Sequence, residues 1–514
     1  MKKVIVIGAG MGGLATAARL AKAGLSVEIF ESGPSVGGKC RTEWFGNYAF
    51  DTGPTLLTLP AVFKDLFKKS GGRLEREVKL SPIDPAFKYF FADGTELTFP
   101  NLDLQKILRE MDQTLGTRAG NDWHNIMQRA EAMWDASRNS FIEAEMPTRF
   151  SLMKNKNLLR DLRVIAPWSS LSRIVRRYSD DSRIHKIVER YATYTGSDPR
   201  KAPAVLLTIA FMETTFGSWH VDGGIGNLAT ALERRCQELG VTIHLNTRVD
   251  RIVTKAGRVT GVLVGGTEIL ADAIVANADA DLVYNHLIVG ENSRARAERK
   301  KIKKNHKSLS GFSLYLGLDN SRVADPEALP KLAEHNVFFP QNYEAEFEDI
   351  FTSQIPVRDP AIYICAPHDS AMVRGEGADH KEAWSVLVNA PRHDPQNGFD
   401  WRTSAEEYAR GLIAKLDSLG LRVSERLEVM EFRSPAELES TFNAPGGSIY
   451  GAATHGANSV FRRAKNRSPI EGLYLASGSA HPGGGLPMVT IGGELVAEAI
   501  LDSDLGVGIP KNHH

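Results

Sequence analysis

The sequence predicts an α/β protein of two interleaved lobes, and three observations carry that expectation. A glycine-rich turn lies between two short apolar runs at the start, a strand-and-helix region begins near Val221, and another closes the chain. At 514 residues the chain also exceeds the roughly 250 to 300 at which single cores tend to split.

The stretch Lys3–Ile7 (KVIVI) reads as a buried parallel strand, apolar on both faces. Gly8 to Gly13 form a tight turn, residues 14–23 an alanine-rich helix stopped at Gly24, and 27–30 a second buried strand ending at Glu31. In the middle region Gly223-Gly224-Ile225-Gly226 leads into a helix over 227–239, then strands over 241–245, 249–253, 258–264 and 273–276. At the far end 472–476 is strand-like, 477–487 turn-rich and 488–501 helical. These regions predict one domain assembled from 1–95, 222–295 and 441–505, with 96–221 and 296–440 forming the second lobe.

Gly8, Gly10 and Gly13 have G-x-G-x-x-G spacing, with Gly12 beside the last. Gly8 permits the turn, Gly10 lets a pyrophosphate approach the backbone, and Gly13 lets the helix pack on the strand. The helix N-terminus then offers unpaired N–H groups to phosphate. Glu31, 18 residues after Gly13, ends the second strand, where its carboxylate can accept both hydroxyls of a ribose. Strand, turn, helix and acid together make a Rossmann-type dinucleotide unit, which by itself does not separate NAD from FAD. Downstream, Gly37-Gly38-Lys39-Cys40-Arg41 places a second glycine doublet and two cations near the first turn.

Composition excludes several classes. Sixty-two basic residues balance 62 acidic ones, so net charge argues for no nucleic-acid partner. The three cysteines, Cys40, Cys236 and Cys365, have the spacing of neither a disulfide framework nor a zinc site, which suits a reducing cytoplasm. No HExxH, Ser-His-Asp order or Cys/His cluster is present, so no metal site is expected. No apolar run of about 18 residues predicts a spanning helix.

Phe50-Asp51-Thr52-Gly53-Pro54-Thr55 with LLTLP behind it, GSIYG at 447–451 and LYLASGSAHPGGGLP at 473–487 complete a set of motifs. In order along the chain, the set resembles the carotenoid desaturases of the phytoene and hydroxyneurosporene type, a family of FAD-dependent oxidoreductases. The resemblance implies a Rossmann-type FAD-binding domain of the glutathione-reductase-like (amine oxidase and phytoene desaturase) kind, with an interleaved α+β substrate domain. It implies that Gly37 and Gly38 carry a further stretch of the dinucleotide, with Lys39 standing where the family has Arg and offering a point charge, not a planar fork. It implies that Gly53, Pro54 and Thr55 pass the flavin ring. Gly478, Ser479, Pro487, Met488 and Val489 would lie at its pyrimidine side, where a helix N-terminus stabilises the negative charge of reduced flavin. Arg41 and Val249 complete the expected cofactor contacts, and the expected substrate is a lipophilic carotenoid or related isoprenoid.

Desaturation also needs a proton acceptor, and the sequence assigns none. His481 is a candidate because its turn is expected beside the flavin; its other role would be to hold that turn by hydrogen bonding. His220, His455 and Asp51 are further candidates. The apolar stretch 204–216 reads as core packing or as a wall of the substrate tunnel. Two other functions stay open on this architecture: a flavin amine or amino-acid oxidase, and a non-catalytic isoprenoid carrier like the GDP-dissociation inhibitors. Finally, 154–190 carries ten basic residues against four acidic ones, interleaved with apolar residues at helical spacing. It reads either as an interfacial helix on an anionic membrane, at the inner face of the cell membrane, or as an ordinary surface helix.

Overall fold

The computed structural model describes residues 2–147, 158–290, 292–503 and 505. Its first sheet is wholly parallel and draws strands from three remote parts of the chain: β1 (Lys3–Ile7), β2 (Ser26–Phe30), β3 (Thr242–His244), β4 (Ala273–Ala276) and β5 (Leu473–Leu475). They lie in the order β5-β4-β1-β2-β3. β4, one place in from the edge, is buried throughout, as befits a parallel sheet covered on both sides. Three helices pack together against it: α1 (Met11–Lys22), α2 (Gly226–Glu238) and α3 (Leu486–Leu501). α1 begins three residues earlier than expected, so Gly12 and Gly13 belong to its first turn, and it stops before Gly24, whose φ of +93° suits glycine. α3 begins at Leu486 with Pro487 in its first turn, where a missing N–H costs nothing.

The second lobe is built on a seven-stranded sheet. Its order is Leu427–Arg433, Ser310–Asp319, Lys381–Ala390, Ile362–Cys365, His335–Phe338, Phe87–Phe90 and Glu96–Phe99. Every pairing is antiparallel except that of His335–Phe338 with Phe87–Phe90. The helix Trp401–Ser418 packs on one face through Trp401, Leu412 and Leu416, and helices from residues 104–216 cover Tyr89, Leu97 and Val337. The boundary expected at 95/96 is therefore corrected: it falls inside a hairpin of this sheet, and the second lobe starts before Phe87.

The expected continuous helix over 154–190 is also corrected. Lys154 and Lys156 lie outside the described residues. The rest is three short helices, Leu158–Ile165, Leu171–Val175 and Ser182–Arg190. The first ends before Ala166, whose φ of 48° leaves the right-handed helical region just ahead of Pro167, and the last restarts where the Asp181 side chain accepts from the N–H of Arg183. Leu171, Ile174 and Val175 face the core, while Leu159 and Trp168 are 85% and 64% exposed. The stretch 204–216 is a 3₁₀ turn, Ala204–Leu207, running into the α-helix Thr208–Phe216. No helix among the described residues is long and apolar enough to cross a membrane.

Candidate cofactor and active site

The first N–H bonded within α1 is that of Leu14, to Gly10 O at 3.0 Å, so those of Met11, Gly12 and Gly13 stand ahead of the ladder at its N-terminus. Each glycine of the turn removes a collision. A Cβ on Gly8 would sit 2.7 Å from Asn277 O, and one on Gly10 2.5 Å from Asn277 Oδ1. One on Gly12 would strike Ala476 O, and one on Gly13 would strike Gly8 O. Gly13 thus lets helix meet strand, while Gly8, Gly10 and Gly12 let the ends of β4 and β5 close on the turn. Asn277, which the sequence reading left without a role, donates from Nδ2 to Ala476 O and ties those two ends together.

The later glycine doublet docks directly on this turn. Gly37 N donates to Ala9 O at 2.8 Å, and a Cβ on Gly38 would lie 3.2 Å from Gly10 Cα. Glu31 accepts from the N–H groups of Ala9 and Gly33 at 2.8 and 2.7 Å, and a Cβ on Gly33 would lie 3.2 Å from Glu31 Oε1 and 3.3 Å from Arg41 Nη2. Acid and cation thus flank one loop, and Arg41 Nε is buried without a hydrogen-bond partner among the described residues. Val249 lies ahead of the strand Arg251–Lys255, buried in one apolar cluster with Ile7 and Phe30. Lys39 donates to Ile449 O at 3.0 Å and Ser448 O at 3.4 Å, fastening the GSIYG segment. Burial pulls its pKa down, opposed by the charge of Asp279.

The FDTGPT segment meets the other two regions. Asp51 Oδ1 accepts from Thr42 Oγ1 at 2.6 Å and from Ile225 N at 2.9 Å, while Thr42 Oγ1 accepts from Gly226 N at 2.9 Å. The start of α2 is thereby locked onto the first segment. Burial pushes the Asp51 carboxyl up to about 6 against these hydrogen bonds. A Cβ on Gly53 would strike Lys39 O; Pro54 is half-buried, and Thr55 Oγ1 shares a hydrogen bond of 2.7 Å with Tyr363 Oη.

At the C-terminal turn, Gly478 O accepts from Arg463 Nη1 at 2.6 Å and Ser479 Oγ accepts from Ala280 N at 2.8 Å. Asp279, Lys307, Ser448, Gly451, Arg463 and Ser479 line a cavity here. The first N–H paired within α3 is that of Val489, to Gly485 O at 3.0 Å, which leaves that of Met488 ahead of the ladder. Met488 and Val489 are half-buried while Pro487 is buried. Two helix N-termini, a close-packed glycine turn bare of side chains and an unpaired guanidinium nitrogen together fit a bound dinucleotide.

The proton-acceptor candidates fare differently. His481 Nε2 donates to Ala144 O at 2.8 Å and its ring meets Phe141 edge-on at 5.0 Å, so it pins the turn to the second lobe. His220 lies between Glu334 and Asp369, 2.9 Å from each; burial alone would lower its pKa, but the two carboxylates push it up to about 9. As an imidazolium it has no lone pair to accept a proton. The His455 Nε2 lone pair is already taken by the N–H of Asp198 at 2.9 Å.

Comparison with known proteins agrees with this geometry. A family model for flavin-containing amine oxidoreductases matches residues 11–501. A hydroxyneurosporene desaturase of Rubrivivax gelatinosus is 33% identical over 97% of this chain and 93% of its own. The chain belongs to this flavin oxidoreductase family, in its carotenoid desaturase branch. A zeta-carotene-forming phytoene desaturase of Myxococcus xanthus is 31% identical over 97% of this chain and 94% of its own, and a 4,4'-diapolycopene oxygenase of Methylomonas sp 30% over 97% and 98%. Among solved structures, a putrescine oxidase superposes with a TM-score of 0.61 at 16% identity, over 98% of this chain and 99% of that one. An oxidoreductase from Methanosarcina mazei does so with 0.60 at 18%, over 96% and 100%. These likenesses carry the fold. The protein is an FAD-dependent oxidoreductase of the desaturase branch.

Proposed function

We propose that this enzyme introduces carbon–carbon double bonds into a carotenoid or related isoprenoid. The reaction removes a hydride and a proton from adjacent carbons; bound FAD supplies the hydride acceptor. The chain's part is to position and dry the substrate, and one observation carries the reading. In the apolar cluster against which Leu56 also packs, Val205, Leu206, Ile209 and Phe211 of the helical stretch 204–216 are only half-buried, as are Met212 and Phe216 of the same stretch. An apolar wall next to the turn expected at the flavin suits a long hydrocarbon chain better than a small charged amine. The named activities of the curated relatives support the same substrate class.

A substrate of this kind resides in lipid, which calls for a peripheral membrane contact. Exposed Leu159 and Trp168, with Arg160, Arg163 and Arg173 exposed nearby in sequence, are the residues suited to it. The test of function is anaerobic: purified protein should be yellow, absorbing near about 450 nm from the flavin. Adding an acyclic carotenoid should bleach that band while the polyene spectrum moves to longer wavelength. Bleaching by amines but by no polyene would overturn the proposal in favour of an amine oxidase.

A further inference from the structure

The helix Ser293–Lys304 carries seven basic residues against one acidic, in a chain whose charges otherwise balance. Its sequence sets like charges one turn apart, Arg296 with Lys300, Arg299 with Lys303 and Lys300 with Lys304, a spacing at which they destabilise a helix. The helix dipole accounts for Lys301, Lys303 and Lys304 in the last turn, where cations meet the partial negative end. It does not account for Arg296, Arg299 and Lys300 further back.

Those side chains converge on a cavity of about 360 Å³, within the range of small-ligand sites. Arg296, Arg299, Lys300 and Lys303 line it together with Lys307, just beyond the helix. Arg299 is anchored at the wall, donating from Nε to Tyr284 O at 2.6 Å and from Nη2 to Ile288 O at 2.5 Å. Asp281 is the one carboxylate among the described lining residues, and it is already engaged by Lys307 Nζ and Asn285 Nδ2. Lys300 and Lys303 are exposed and have no ion pair among the described residues. Ile302 is the only apolar residue described in the lining, so the cavity offers no anchor for an acyl chain. Asp281, Ile302 and Lys307 also line the cavity at the C-terminal turn, so the two spaces share a wall.

We propose that this cavity binds a free small molecule through a diphosphate group, held by Arg299, Lys300, Lys303 and Lys307. A lone phosphate brings about two negative charges at neutral pH, fewer than the cations arrayed here, whereas a diphosphate brings more. The site is separate from the glycine turn that receives the cofactor, and the inference stands independently of the carotenoid reading.

Calorimetric titration of the FAD-loaded protein with inorganic pyrophosphate tests it, because the cofactor site is then already filled. Wild type should take up about one equivalent, with affinity that falls as salt rises. The double variant Lys300→Gln, Lys303→Gln removes two exposed side chains with no described partner, and its retained yellow colour reports that it folds. It should bind pyrophosphate at least about tenfold more weakly. A control variant, Lys68→Gln, Lys106→Gln, removes the same charge from exposed positions on other helices and should bind like wild type. No binding by wild type, equal binding by the Lys300, Lys303 variant, or an equal loss in the control overturns the site. So does the case in which pyrophosphate fails while phosphatidylglycerol vesicles capture wild type and not the Lys300, Lys303 variant, since the helix is then a surface for lipid headgroups.

Discussion

Replacing His220 by Gln should remove a share of stability that depends on pH in a defined direction. His220 sits on the strand Trp219–Val221, paired with Leu80–Pro82, and bridges Glu334 and Asp369 of the second lobe. Its pKa in the folded protein, pushed up to about 9, lies above the ordinary 6.5. The stabilisation is therefore complete below about pH 6.5 and is lost as pH rises through about 9. At roughly 1.4 kcal/mol per pH unit, that difference amounts to about 3 kcal/mol. Other groups titrate elsewhere: burial pushes Asp51 and Glu346 up to about 6 and about 7, and pushes His335 and His455 down to about 4. Groups that the two proteins share cancel in the comparison of wild type with His220→Gln, so the difference between them reports His220. Thermal midpoints of the FAD-loaded wild type and His220→Gln, measured from about pH 6.5 to 9.5, check this. The gap between them should be widest at the acid end and mostly closed at the alkaline end. Parallel curves across that range would refute a charged His220.

Other substitutions probe the cofactor and the surface. Glu31→Ala should weaken FAD binding by about 1.5 to 3 kcal/mol, read as flavin fluorescence released on dialysis; unchanged retention would leave Glu31 as a loop fastener for Ala9 and Gly33. Gly10→Glu should yield colourless and less stable protein, because its side chain starts 2.5 Å from Asn277 Oδ1 and brings a charge to the phosphate turn. A full flavin spectrum would contradict that placement. Wild type should float with anionic liposomes, less so as salt rises, and the double variant Leu159→Asp, Trp168→Asp should stay behind with its flavin bound. Wild type that never floats at low salt removes the membrane contact.

The cofactor half of the molecule was legible because its signals are local. A strand, a glycine turn, a helix and Glu31 lie within one short stretch, and each motif carries its own backbone requirement. The substrate half was less so. Helical periodicity ran unbroken through 154–190, yet Ala166 before Pro167 ends one helix and Asp181 caps another, so that Leu171, Ile174 and Val175 are buried while Leu159 is exposed. His220 meets Glu334 and Asp369, more than a hundred residues away, and nothing near it in sequence announces the trio. Asn277 and Asp279 stood at the end of an expected strand, but their work is done against Ala476 and the charge of Lys39, across the chain. Arg190 read as one more surface cation because the partners that bury it come from other helices and from the sheet.

The edge strand β5 and the start of α3 come from residues 473–488, while the glycine turn they close upon is made first. During synthesis the N-terminal turn therefore emerges long before Ala476 can meet Asn277 and cover Gly12. Until then the nascent chain has one half of a nucleotide cradle and an unpaired sheet edge at β4. Flavin capture must wait until residues 473–488 have been made and folded back, so cells short of riboflavin should accumulate cofactor-free chains open to proteolysis at this seam.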